Sequence, residues 1–91
     1  MLKLALGRRA DKFARKLPHK QEGQIGRKLA ELLTVPFPND SERLKGGMDL
    51  SRVDVGEYRI IYRVRGDMLD VPIIGKRNDD EVYKRLKRMG G

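Results

Sequence analysis

"RVDVGEYRIIYRVRGDMLDVPII", residues 52–74, decides the fold. Residues 52–55 alternate apolar and charged, "GE" follows, and residues 58–65 alternate again. "GD" at Gly66 and Asp67 then precedes a third apolar run. A period of two marks strands with one buried face, and a two-residue turn containing glycine marks a hairpin. The stretch therefore predicts an antiparallel meander of three strands. In its middle strand Tyr58, Ile60, Tyr62 and Val64 share one face, while Arg59, Ile61, Arg63 and Arg65 share the other. The first set belongs against other apolar elements, and the second leaves a row of arginines on the opposite face. Pro72 conflicts with a regular third strand because proline donates no ladder hydrogen bond. Either the strand is irregular there, or the proline nitrogen points away from a neighbour.

The residues before the meander supply its cover. Leu2, Leu4 and Leu6 alternate with Lys3 and Ala5, which predicts a short strand. From Arg8 the period lengthens: Ala10, Phe13, Ala14 and Leu17 form a helical stripe that Pro18 ends. A second helix is predicted from about Lys20 to Thr34, with Ile25, Leu29, Leu32 and Leu33 on one face. Gly23 and Gly26 each cost it about 1 kcal/mol relative to alanine. "LPHK" between the two stripes makes a helical hairpin. "VPFPND" from Val35 and "LKGG" from Leu44 read as breaker and turn segments. After the meander, Asn78 with Glu81 resembles a capping box, and Val82, Leu86 and Met89 give the stripe of a last helix before a fraying Gly90–Gly91 tail. The expected architecture is α+β with the order β-αα-βββ-α. It comprises a small, twisted, mainly antiparallel sheet, an N-terminal helical hairpin on one face and a short C-terminal helix. Residues 1–91 are read as a single domain, since 91 residues rarely hold two cores.

Composition narrows the function. There is no cysteine, so disulfides and thiolate metal sites are excluded, and the single His19 cannot build a histidine-rich site. No cofactor is expected. No apolar stretch approaches the ~18 residues of a membrane span, and no signal-peptide pattern is present, so the expected location is the cytoplasm. The net charge is +8, and the excess sits at the two ends, in residues 1–35 and 76–91. Such an excess favours polyanionic partners, nucleic acid or an acidic protein, over a merely solubilising surface.

The arginine face holds the candidate chemistry. Arg52 and Arg59 lie on adjacent predicted strands around the "GE" turn, and Arg77 leaves the end of the next. Converging guanidiniums repel unless an anion joins them, so the group suggests phosphate. Arg63 and Arg65 read instead as surface charges paired with Glu57, Asp67 or Asp70. Tyr83, on the last predicted helix, has two readings: a core ring beside Val82 and Leu86, or an exposed ring on which a base stacks. The acids Asp79, Asp80 and Glu81 occupy the start of that helix and disfavour an anion there.

"GEYRIIYRVRGD" followed by "IGKRNDDEVYKRLKR" resembles the signature of the RelE family of bacterial and archaeal toxins, within the RelE/ParE toxin–antitoxin superfamily. "RRADKFARKL", "GQIGRKLAELL", the proline break and "LKG" extend the similarity over nearly the whole chain. The resemblance implies a type II toxin that cuts mRNA in the ribosomal A site without a metal, by attack of the 2′-hydroxyl on the scissile phosphate. It implies that Arg59 contacts that phosphate, that Arg77 stabilises charge and protonates the leaving group, and that Tyr83 stacks on a base. Arg52 aligns with the first of two basic residues on the preceding strand. The second, a lysine assigned as base in well-known members, aligns with Asp54. Lys76, Arg52 and Lys45 are the expected RNA-binding residues. The implied partners are a cognate antitoxin and the ribosome with its A-site mRNA. Operator DNA is expected only through the antitoxin, and a membrane not at all.

Two other readings stand beside this one. A toxin of the ParE type acts on DNA gyrase by protein contact and needs no catalytic cluster. A weakened toxin, with Asp54 in place of the lysine, serves as antitoxin partner and co-repressor of its operon. An acid beside two guanidiniums ionises readily and is poorly matched to a 2′-hydroxyl. The retained spacing of "GKR" and the later tyrosine favours the nuclease.

Overall fold

The computed structural model describes residues 1–46 and 48–78. The strands are β1 (Lys3–Leu6), β2 (Ser41–Arg43), β3 (Ser51–Val55), β4 (Tyr58–Arg65) and β5 (Met68–Lys76), and the helices are α1 (Arg8–Arg15) and α2 (His19–Thr34). They form a five-stranded sheet in the order β1-β5-β4-β3-β2. β2, β3, β4 and β5 pair antiparallel, whereas β1 runs parallel to β5. The α+β architecture, with helices on one face of a mainly antiparallel sheet, is the one expected. The expected last helix lies outside the described residues.

The core follows the two periodicities. Ala10 and Ala14 of α1 and Ile25, Leu29 and Leu32 of α2 pack on Val53, Ile60, Tyr62, Leu69, Val71 and Ile74 of the sheet. Phe13, Leu17, Leu33, Tyr58 and Val64 are partly buried around them. Phe13 meets Tyr58 edge to face, with centroids 5.9 Å apart. The buried Tyr62 donates its hydroxyl to the Pro36 carbonyl at 2.6 Å and stacks on Phe37. Residues 36–40 are thus tied to the sheet, and Lys28 of α2 holds them from the other side through Asp40 at 2.7 Å.

The two hairpin turns carry Gly56 (φ 57°) and Gly66 (φ 61°) at the first central position, where a type II′ turn takes glycine. Gly7 is required for a different reason. Its N–H reaches the Val71 carbonyl at 2.9 Å, and a Cβ there would stand 3.1 Å from that oxygen and 3.2 Å from the Pro72 Cα.

Two features depart from the sequence reading, and a third, the irregularity at Pro72, is one of the two alternatives it gave. Ser41, Glu42 and Arg43 form an additional edge strand, β2, through their pairing with Val53, Arg52 and Ser51. The register between β4 and β5 slips between Ile61 and Arg63: Ile61 faces Ile73, but Arg63 faces Asp70. One extra residue is accommodated at Val71–Pro72, so the proline sits at a bulge and the parity of β5 reverses. Leu69 and Val71 therefore face the helices before the bulge, and Ile74 after it. Finally, the arginine face is not wholly polar. Ile61 and Ile73 lie buried on it under Leu50, with Leu44 and Met48 packed around them.

Candidate functional site

The site begins with the register of β3 on β4. Asp54 stands directly opposite Arg59, and Arg52 opposite Ile61. With alternation, Arg52, Asp54 and Arg59 share the face away from the helices. Asp54, rather than Arg52, is thus the immediate neighbour of Arg59, and it lies between the two arginines. Arg59 donates from Nε to Asp54 Oδ1 at 2.7 Å and from Nη2 to Oδ2 at 3.3 Å. Arg52 Nη1 approaches Asp54 Oδ2 at 3.9 Å, and its Nη2 pairs with Glu42 of β2. The Arg59 side chain is 13% exposed and that of Asp54 33%.

Arg77 leaves the sheet at the same end. β5 ends at Lys76, and the Arg77 N–H donates to the Glu57 carbonyl at 2.9 Å, which holds the chain at the turn joining β3 to β4. The Arg77 side chain is exposed. Gly75 stands opposite Arg59, so no side chain of β5 covers the guanidinium from that position. The hydrogen bond from Arg59 holds the Asp54 carboxyl below the usual carboxylate range against the opposing effect of burial, and the charges of Arg59, Arg52 and Arg77 act in the same direction. Asp54 is therefore ionised throughout the neutral range. Arg59 and Arg52 thus approach Asp54, Arg52 also pairs with Glu42, and the charge of Arg77 acts on Asp54 from the end of β5; guanidiniums so placed suit a phosphodiester.

The remaining predicted residues fall elsewhere. Lys76 pairs with Tyr58, so alternation assigns it to the opposite face from Arg59. Lys45 is exposed in the loop between β2 and β3. Tyr83 lies outside the described residues. Arg63 and Arg65 both reach Asp70, at 3.4 and 3.0 Å, as surface charges paired across the ladder. Glu42 joins the site through Arg52 and was not legible beforehand, because only β2 brings it there. Among the described residues no group of three or more histidine, cysteine, aspartate or glutamate side chains is placed to hold a metal, and no helix is long and apolar enough to cross a membrane.

The fold has counterparts among solved structures. The chain is 30% identical to the isolated E. coli RelE toxin over 98% of this chain and 99% of that one, with a TM-score of 0.75. A mutant of the E. coli toxin RelE in the free state is also 30% identical, over 97% of both chains, with a TM-score of 0.79. A chain of the intact E. coli RelBE toxin–antitoxin complex is 28% identical over 87% of this chain and 100% of its own length, with a TM-score of 0.75. No protein-family model and no curated protein sequence matches the chain. With a fold shared end to end at that identity, the chain belongs to the RelE toxin family.

Proposed function

We propose that the protein is the toxin of a type II toxin–antitoxin pair and an endoribonuclease that cuts mRNA on the ribosome. The observation that carries this reading is the contact of Arg52 and Arg59 with Asp54 at the end of the sheet where the β3–β4 turn holds the Arg77 backbone. Strand cleavage requires the 2′-hydroxyl to attack the adjacent phosphorus in line, losing its proton to water, and to expel the 5′-oxygen, which is protonated as it leaves a 2′,3′-cyclic phosphate behind. Negative charge grows on the phosphate as that happens, and preorganised guanidiniums stabilise it without having to reorganise. Arg59, held on rigid strands, is suited to the phosphate. Arg77, exposed at the sheet end, is suited to the leaving oxygen. Only RNA supplies the nucleophile, so DNA is not a substrate.

Among the described residues the site contains no strong base near neutrality, and this suits an enzyme that relies on the ribosome to align the 2′-hydroxyl. The intact E. coli RelBE complex supports an antitoxin as the partner of this chain; contact with operator DNA through that antitoxin is part of the proposal. The Asp54–Arg59 pair is the one feature favouring a second reading, a toxin of low activity that serves as co-repressor. One comparison separates the two readings. The proposal predicts efficient cleavage of mRNA on programmed ribosomes and little cleavage of the naked transcript. No cleavage on ribosomes favours the co-repressor, and equal cleavage of both substrates rejects the dependence on the ribosome.

A further inference from the structure

Asp54 occupies a position at which the resemblance places a basic residue, yet it is well integrated. Its two carboxylate oxygens accept from the Nε and Nη2 of Arg59 at 2.7 and 3.3 Å. This side-on, two-point contact fixes the plane of the guanidinium as well as its location, which a single point charge does not do. The two residues face each other across regular strands, so the contact is carried by the ladder and not by a loop. The same carboxylate lies 3.9 Å from Arg52 and feels the charge of Arg77. It therefore offsets the repulsion that would drive three guanidiniums apart. Both of its oxygens are already engaged by Arg59, which makes it a poor acceptor for a substrate proton.

We propose that Asp54 is a positioning residue for Arg59: it acts on cleavage by fixing the guanidinium and not by touching the RNA. The proposal rests on the nuclease reading above. It requires that the loss of Asp54 be felt only while Arg59 is present, since residues acting as one unit are non-additive.

The test is a double-mutant cycle on programmed ribosomes with the full chain, using Asp54→Ala, Arg59→Ala and both together, beside melting curves. Asp54→Ala is expected to slow single-turnover cleavage by about tenfold or more in the parent and by less than about twofold in Arg59→Ala. Asp54→Asn, whose amide oxygen still accepts one hydrogen bond, is expected to retain more activity than Asp54→Ala. In ¹⁵N spectra of the free protein, the Arg59 Nε–H is expected to be protected from exchange in the parent and to lose that protection in Asp54→Ala. Equal slowing by Asp54→Ala in both backgrounds overturns the proposal, because Asp54 then acts on the substrate directly. A faster Asp54→Ala enzyme overturns it as well, as does an Nε–H signal indifferent to Asp54→Ala. A parent chain that cuts no message is a different failure: it removes the nuclease reading itself, and positioning for cleavage falls with it.

Discussion

Arg77 donates its backbone N–H to the carbonyl oxygen of Glu57 at 2.9 Å, so the turn between β3 and β4 fixes the point at which Arg77 leaves the sheet. Gly56 precedes Glu57 in that turn with φ 57°, and Gly66 occupies the equivalent place at the far hairpin with φ 61°. A side chain at either position is strained by roughly 1–2 kcal/mol, and neither meets a close neighbour. Gly56→Ala and Gly66→Ala are therefore expected to lower the melting temperature by similar amounts. Only Gly56→Ala is expected to slow cleavage, because it alone disturbs the turn that carries Arg77. Melting curves paired with rates on ribosomes make the comparison.

Glycines elsewhere separate propensity from packing. A Cβ at Gly26, in the interior of α2, meets nothing within 4 Å, so Gly26→Ala is expected to stabilise the protein by about 0.5–1 kcal/mol. Gly7→Ala is expected to destabilise it by about 1–3 kcal/mol, because the new methyl presses on the backbone of Val71 and Pro72. Denaturant midpoints of the two variants should move in opposite directions.

The acid limb of stability has an identifiable source. Asp54 and Asp40 are both held below their usual value of 3.8, by hydrogen bonds from Arg59 and Lys28 respectively. A carboxyl with a depressed folded pKa contributes stability above its unfolded pKa and loses it as the pH falls through the folded value. The parent should therefore soften below about pH 4. Asp54→Asn should melt lower than the parent near neutrality and converge on it in acid. Thermal melts across that window check the sign.

The parts of the fold set by local pattern were legible in the sequence. Alternation from Arg52 to Arg65 placed the hairpins and the face of Tyr58, Ile60, Tyr62 and Val64 that meets the helices. The irregularity at Pro72 followed from its missing donor. What was not legible depends on distant partners. "SER" at residues 41–43 has no apolar alternation and is a strand only because β3 pairs with it. Ile61 looked like a member of a polar face, but Leu44, Met48 and Leu50 fold over it. At the site, the shared sheet face of Arg52 and Arg59 was readable from the "GE" turn, although Asp54 and not Arg52 stands opposite Arg59. The register that sets Asp54 opposite Arg59 was not, because a slip of one residue in that turn would have moved the pair apart.

The account stands on Arg77 acting at the scissile phosphate. It is tested most directly by the cleavage rate of Arg77→Ala on mRNA-programmed ribosomes, measured beside its melting curve. Arg77 is exposed, so the variant should stay folded, with a stability change within about 0.5 kcal/mol. Loss of a preorganised charge contact is worth roughly a hundred- to thousand-fold in rate, and the account predicts a fall of that size. A folded Arg77→Ala protein that cuts at the parent rate would contradict it.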